Sequence, residues 1–279
     1  GADSLMLNAA GDRVIIGTPN FENNPTGGPY DFGHIQVYEY NSVTTTWDQM
    51  GLDLMGQFAE DYFGTKVAMS ADGSIIAVSA VEHKIFDAGG TERSVGTVYV
   101  YEWDSVAFTW QQQAEIEGTF LWTGPEFFSQ DMYHGQGLSL SDDGKMLAIS
   151  ATGYGWNNGY VKTYKFKDGA WSTIGQQLQL NPSHEFGINL HLSGDGSKLT
   201  AVGSSSFDEN SKVRVYDSVP ANPCQNGGVC SETSDGTTPA VDSFYCDCTG
   251  TGYDGTNCLD DFDECAANGG LGACVNGAV

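Results

Sequence analysis

From Gly1 to Asp217 the chain contains no cysteine, and all seven then fall between Cys224 and Cys274. That absence excludes disulfide support for the long first part, which must stand on an apolar core. Basic residues are scarce too, 11 against 36 acidic ones, for a net charge of -25. So few cations exclude nucleic acid and anionic membrane surfaces as partners, because lysine and arginine must neutralise phosphate there. No apolar run approaches the roughly 18 residues of a spanning helix, so no membrane insertion is expected within this segment. Gly1 does not open a signal peptide, having neither a basic start nor an apolar block behind it, so a leader is expected upstream. Acceptor sequences for N-glycosylation are missing as well. The near matches Asn24-Pro25-Thr26 and Asn181-Pro182-Ser183 carry the proline that forbids the modification.

Catalytic signatures are equally absent. There is no Gly-x-Ser-x-Gly elbow, no Walker loop and no His-Glu-x-x-His. The histidines His34, His83, His134, His184 and His191 are dispersed without metal-binding spacing. Acidic pairs such as Glu115/Glu117 or Asp208/Glu209 could flank a glycosidic bond, but 36 acids generate such pairs by chance. No catalytic residue is assigned, and the chain is expected not to be an enzyme.

What is present is repetition. Tyr62-Phe63-Gly64 leads through Ser70-Ala71-Asp72-Gly73 into Ile75-Ile76-Ala77-Val78; Tyr133-His134-Gly135 leads through Ser141-Asp142-Asp143-Gly144 into Met146-Leu147-Ala148-Ile149. A third copy opens at Phe186-Gly187 and contains Ser193-Gly194-Asp195-Gly196, and a first copy enters at Leu5-Met6-Leu7 and turns at Gly11-Asp12. Near-twofold alternation within each copy predicts strands. The Asp-Gly turns supply the positive φ of a tight hairpin, which accounts for Asp72, Asp142, Asp143 and Asp195. A third strand follows in each copy (Ile35 to Tyr40, Val98 to Trp103, Val161 to Phe166, Val213 to Tyr216), and a fourth opens on Trp47, Trp110 or Trp171. The fold class expected is all-β: four visible four-stranded blades of a β-propeller, the last lacking its fourth strand, with further blades outside this sequence. A β-sandwich is the rival.

Phe63-Gly64 and Phe186-Gly187 at the repeat starts, with Gly17-Thr18-Pro19 and Ser79-Ala80 after the second strand, resemble the FG-GAP repeats of integrin-alpha-type propellers. The resemblance covers roughly residues 1–218. Calcium-binding members carry an Asp-x-Asp-x-Asp-Gly loop that is missing here, so calcium is not expected in this part.

Residues 219–259 read differently. Asn222-Pro223-Cys224-Gln225-Asn226-Gly227-Gly228-Val229-Cys230, then Cys246-Asp247-Cys248, then Gly255-Thr256-Asn257-Cys258, are similar to an EGF-like module. That family's pairing implies disulfides Cys224–Cys246 and Cys248–Cys258. It leaves Cys230 as a free thiol, an intermolecular bridge or a partner of a later cysteine. Residues 260–279 resemble the start of a calcium-binding EGF-like module, which implies Ca2+ held by Asp261, the Phe262 carbonyl and Glu264; the plain alternative is an acidic linker. Cysteines at this density imply an oxidising, extracellular compartment.

One insertion, before Tyr133, carries Phe120, Leu121, Trp122, Phe127 and Phe128. Projecting aromatics make a candidate interface, or else they cover the edge of their own sheet. The function expected is a non-enzymatic extracellular structural or interaction protein, a rigid disc on an EGF-like spacer. It is similar to cell-surface and flagellar-hair (mastigoneme-type) proteins of stramenopile algae. Its partners would be other extracellular proteins or copies of itself. The alternatives are a carbohydrate-binding or carbohydrate-active propeller protein, and an adhesion receptor ectodomain.

Overall fold

The structure, a computed structural model, describes residues 4–22, 31–86, 90, 92–118, 133–153, 159–178, 186–203, 212–217, 229–233, 243–247, 253–254 and 260–261. Among them every element is a β-strand, so none is a helix long and apolar enough to cross a membrane. The chain divides into two compact units, Gly1–Ser218 and Val219–Val279.

Among the described residues the first unit holds four larger antiparallel sheets and one separate two-stranded hairpin. The first holds β1 (Ser4–Leu7), β2 (Arg13–Thr18), β3 (His34–Asn41) and β4 (Thr46–Gln49) in that order, with β5 (Leu54–Met55) also on β3. The second holds β6 (Phe63–Met69), β7 (Ile75–Ala80), β10 (Thr97–Asp104) and β11 (Thr109–Glu117) in that order, and between β7 and β10 in the chain β8 (Lys84–Phe86) and β9 (Glu92–Ser94) form a separate hairpin. The third is β12 (His134–Leu140), β13 (Met146–Ala151), β14 (Tyr160–Lys167) and β15 (Ala170–Leu178). The fourth has three strands among the described residues, β16 (Asn189–Leu192), β17 (Lys198–Gly203) and β18 (Lys212–Asp217). First strands lie side by side: β1 against β6, β6 against β12, β12 against β16.

Second strands explain the packing. On β7, Ile76 and Val78 face the first sheet, among Ile15, Ile35 and Val37; Ala77 points the other way, toward Leu147 and Ile149 of the third sheet. Large residues on one face and a small one on the other let neighbouring sheets approach closely, with β7 buried on both sides.

Two further devices join the repeats. At the hairpin end, one backbone hydrogen bond passes from turn to turn: Ala9 N to Ala71 O (3.0 Å), Ala71 N to Asp142 O (2.9 Å), Asp142 N to Gly194 O (2.8 Å). At the opposite end, the Phe-Gly glycine of each repeat is wedged against the second strand of the repeat before it. Gly64, Gly135 and Gly187 all have φ above +90°, and a Cβ on Gly187 would sit 2.4 Å from Ser150 Cβ. Only glycine meets both conditions. His134 stands in the place of Phe63 and Phe186 and is likewise buried, its Nδ1 3.2 Å from the Tyr160 hydroxyl.

In the second unit the described backbone forms two hairpins. β19 (Val229–Thr233) pairs with β20 (Ser243–Asp247), setting Cys230 opposite Cys246, and β21 (Tyr253–Asp254) pairs with β22 (Asp260–Asp261).

Candidate functional site

The turns at the hairpin end consume their own polar groups. Ser70 Oγ donates to Asp72 Oδ1 (2.7 Å) and accepts from Ile75 N, while Asp72 also accepts from Ser74. The same set recurs at Ser141/Asp143 and Ser193/Asp195, and Asn8 takes the serine's part in the first repeat. These aspartates are turn chemistry.

At the other end of the same strands lies a pocket of about 500 Å³ lined by Pro19, Tyr62, Thr65, Val81, Glu82, Tyr133, Gln136, Thr152, Gly153 and Ile188. The repeat register makes these equivalent positions. Tyr62 and Tyr133 each precede the first strand of a repeat; Thr65, Gln136 and Ile188 follow the Phe-Gly glycine; Pro19, Val81 and Thr152 follow the second strand. All four repeats therefore contribute to one concavity, each kind of equivalent position coming from two or three of them. Both tyrosines hold positive φ, 53° and 64°, which is uncommon for an aromatic residue and tends to persist where a side chain is needed at that spot. Burial, with the charges of Asp31, Glu60 and Glu82, raises the Tyr62 pKa, so its phenol stays a hydrogen-bond donor at neutral pH. Thr65 Oγ1 donates to Tyr62 O at 2.7 Å and keeps its lone pairs for another donor. Together the lining offers two aromatic faces, hydroxyls, an amide and one carboxylate.

Beside this pocket, on the second repeat, a second group of polar residues gathers. His83 is buried behind Glu82, its ring Nδ1 3.2 Å from Asp61 Oδ2. Its backbone carbonyl accepts from Val95 N (2.8 Å) and Gly96 N (3.1 Å), which fixes the loop after β7. A bulge between Val100 and Tyr101 in the β10–β11 pairing sets Glu115 opposite Tyr99 and Glu117 opposite Thr97. One ligand atom each from His83, Glu115 and Glu117 lies within 4.8 Å of the others. Burial works to lower the His83 pKa, but the Asp61 hydrogen bond and charge, with Glu115 and Glu117, outweigh it and hold it raised. Burial first, then the Glu115 charge, pushes the Tyr99 and Tyr101 phenols up.

Most residues singled out from sequence fall elsewhere. Phe120, Leu121, Trp122, Phe127 and Phe128 lie outside the described residues, as do Cys224, Cys248, Cys258, Phe262 and Glu264. Cys246 and Asp261 are described as strand backbone. Tyr62, Tyr133 and Gln136 were missed as lining residues, although the two tyrosines' shared offset, two residues before the repeat-start glycine, was a usable signal. His83 with Glu115 and Glu117 left none, because a loop and a distant strand supply them.

No family model and no curated protein matches the chain. Among solved structures it is similar to a putative 6-phosphogluconolactonase from Bacteroides uniformis (12% identity, 77% of this chain and 57% of that one, TM-score 0.46). It is also similar to the periplasmic gluconolactonase of Pseudomonas aeruginosa (18% identity, 69% of this chain and 47% of that one, TM-score 0.38). The chain thus spans about half the length of each, and at these values neither transfers a residue role. The expectation of a non-enzymatic structural or interaction protein of the flagellar-hair, EGF-spacer kind is corrected to this extent: the structures found are named as a 6-phosphogluconolactonase and a gluconolactonase, not as proteins of that kind. The physical reason is convergence: side chains far apart in the sequence, from Pro19 to Ile188, meet in one pocket.

Proposed function

We propose that the first unit is a β-propeller that binds a carbohydrate in the pocket lined by Tyr62, Tyr133, Gln136, Thr65, Thr152 and Glu82, as a carbohydrate-active protein. Consecutive antiparallel sheets with adjacent first strands support the propeller. One observation carries the binding site: equivalent positions of successive repeats line a single pocket with paired tyrosines and short polar groups. Sugars offer apolar C–H faces and rings of hydroxyls, which match aromatic faces bordered by a few placed donors and acceptors. Glu82 is the carboxylate within this lining and the candidate for accepting a sugar hydroxyl or moving a proton. The clustered cysteines support a secreted, oxidising setting.

The test is saturation-transfer NMR on the full chain with a panel of neutral mono- and oligosaccharides and sugar lactones. At least one class should bind saturably, and Tyr62→Ala with Tyr133→Ala should weaken it by about tenfold or more. Turnover of a bound lactone or glycoside that falls with Glu82→Gln would establish chemistry beyond binding. Failure of every member to bind, or equal binding by the double variant, would end the proposal.

A further inference from the structure

We infer that His83, Glu115 and Glu117 form a binding site for a divalent transition-metal ion, Zn2+ by preference, separate from the carbohydrate pocket. Three kinds of observation support it. The first is the ligand set itself, one imidazole and two carboxylates with their ligand atoms mutually within 4.8 Å. Zinc with ligands at about 2.0–2.2 Å needs such atoms roughly 3.3 Å apart. Both glutamates are exposed at the end of β11, so rotamer changes can close that gap. The imidazole favours a transition ion over Ca2+ or Mg2+, which prefer all-oxygen shells.

The second is the support behind the histidine. Asp61 is 1% exposed, and its Oδ2 engages His83 Nδ1 while also accepting from Phe58 N at 3.2 Å. A buried carboxylate on one imidazole nitrogen orients the ring and leaves Nε2 for the ion, the arrangement that holds metal-bound histidines elsewhere. A buried Asp–His pair without an ion needs some compensation for its desolvation.

The third is a buried donor whose hydrogen bond is not completed. Tyr99 is 1% exposed; its hydroxyl lies beside the Glu115 carboxylate without completing a hydrogen bond. Buried hydroxyls are seldom left unpaired. Rotation of Glu115 onto an ion would turn its second oxygen toward Tyr99, satisfying that hydroxyl and fixing the ligand. Three protein ligands leave a coordination position for water.

The experiment uses the full chain stripped with chelator and titrated with Zn2+ by calorimetry, then with Co2+ followed by absorption. One ion should bind per chain beyond any held by cysteines, with Co2+ giving visible d–d bands. Glu115→Gln with Glu117→Gln should lower that affinity at least 100-fold without altering the fold, since both side chains are exposed. Asp61→Asn should lower it about 10- to 100-fold, as loss of a partner behind a ligating histidine does. The inference is overturned if the glutamine pair binds Zn2+ as the parent does. It is equally overturned if Co2+ shows only the near-ultraviolet charge-transfer band of thiolate ligation, or if no saturable binding occurs.

Discussion

The two ends of the inner strands are built from the same repeats but use their polar groups in opposite ways. At the hairpin end, each Ser-x-Asp-Gly turn satisfies itself, and a backbone hydrogen bond passes to the next turn. At the pocket end, buried atoms without partners accumulate: His34 Nδ1, Asp61 Oδ1, Thr97 Oγ1 and the Tyr99 hydroxyl. Leaving such groups unpaired costs about 1–3 kcal/mol each. An end that repeats the same bonds in each turn is built for assembly of the sheets. An end that varies between repeats and holds orphan polar groups is where a ligand can be accommodated.

The largest effect should come from the wedge glycines, which make the pocket end fit together. Gly187→Val places a β-branched residue at φ +95° with its Cβ 2.4 Å from Ser150 Cβ. A loss of about 3 kcal/mol or more is expected, from left-handed strain plus overpacking. That corresponds to a fall of roughly 10 °C in thermal midpoint, read by near-ultraviolet circular dichroism. Gly11→Ala, at the hairpin end, also has a positive φ, +72°, but open space around its Cβ, so its loss should be about 1–2 kcal/mol. Equal losses at the two positions would remove the wedge from the account.

Next comes the turn network. Asp143→Ala takes away the acceptor of Ser141 Oγ (2.6 Å) and Lys145 N (2.9 Å). With Ser141 fully buried, a loss of about 1–2 kcal/mol is expected in urea denaturation, with carbohydrate binding unchanged. Lost binding with intact stability would assign these turns to function instead.

Much of this end could be read directly. The Asp-Gly pairs, the alternation in Leu138-Ser139-Leu140 and the two-faced apolar run Ile75 to Val78 each follow from rules of a few residues' reach, and the strands lie where those rules put them. The His83 cluster could not be read so. It depends on a bulge between Val100 and Tyr101 and on the loop after β7, and neither has a local signature. Glu115 and Glu117 looked like chance neighbours because β11 alone gives no hint of the imidazole that faces them.

Acid separates the ends more gently. Burial pushes the Asp72 carboxyl up, but hydrogen bonds from Ser70 and Ser74 and the Arg13 charge prevail and hold it low. Asp195 is held down to about 2, by the Ser193 hydroxyl first and then by Ser197. Carboxyls depressed in the folded chain contribute stability that is complete above their unfolded pKa, about 3.9, and is lost as pH falls through the folded values. Stability should therefore decline between about pH 4 and pH 2, and Asp72→Asn with Asp195→Asn should flatten that slope. An unchanged slope in urea titrations at these pH values would move the acid-sensitive groups elsewhere.

The smallest effect on stability should accompany the sharpest effect on binding. Tyr133 sits at φ +64° and lines the pocket. Tyr133→Gly removes a contact surface but also relieves a left-handed backbone that glycine adopts freely. The two changes oppose each other, so the net shift should stay within about 1 kcal/mol of zero. Removal of a buried core tyrosine such as Tyr160 should cost several times more. A residue kept in an unfavourable conformation without benefit to folding is explained by what it touches in the pocket. Should Tyr133→Gly unfold the chain, the tyrosine would be a packing residue, and the asymmetry between the two ends would rest on the orphan polar atoms alone.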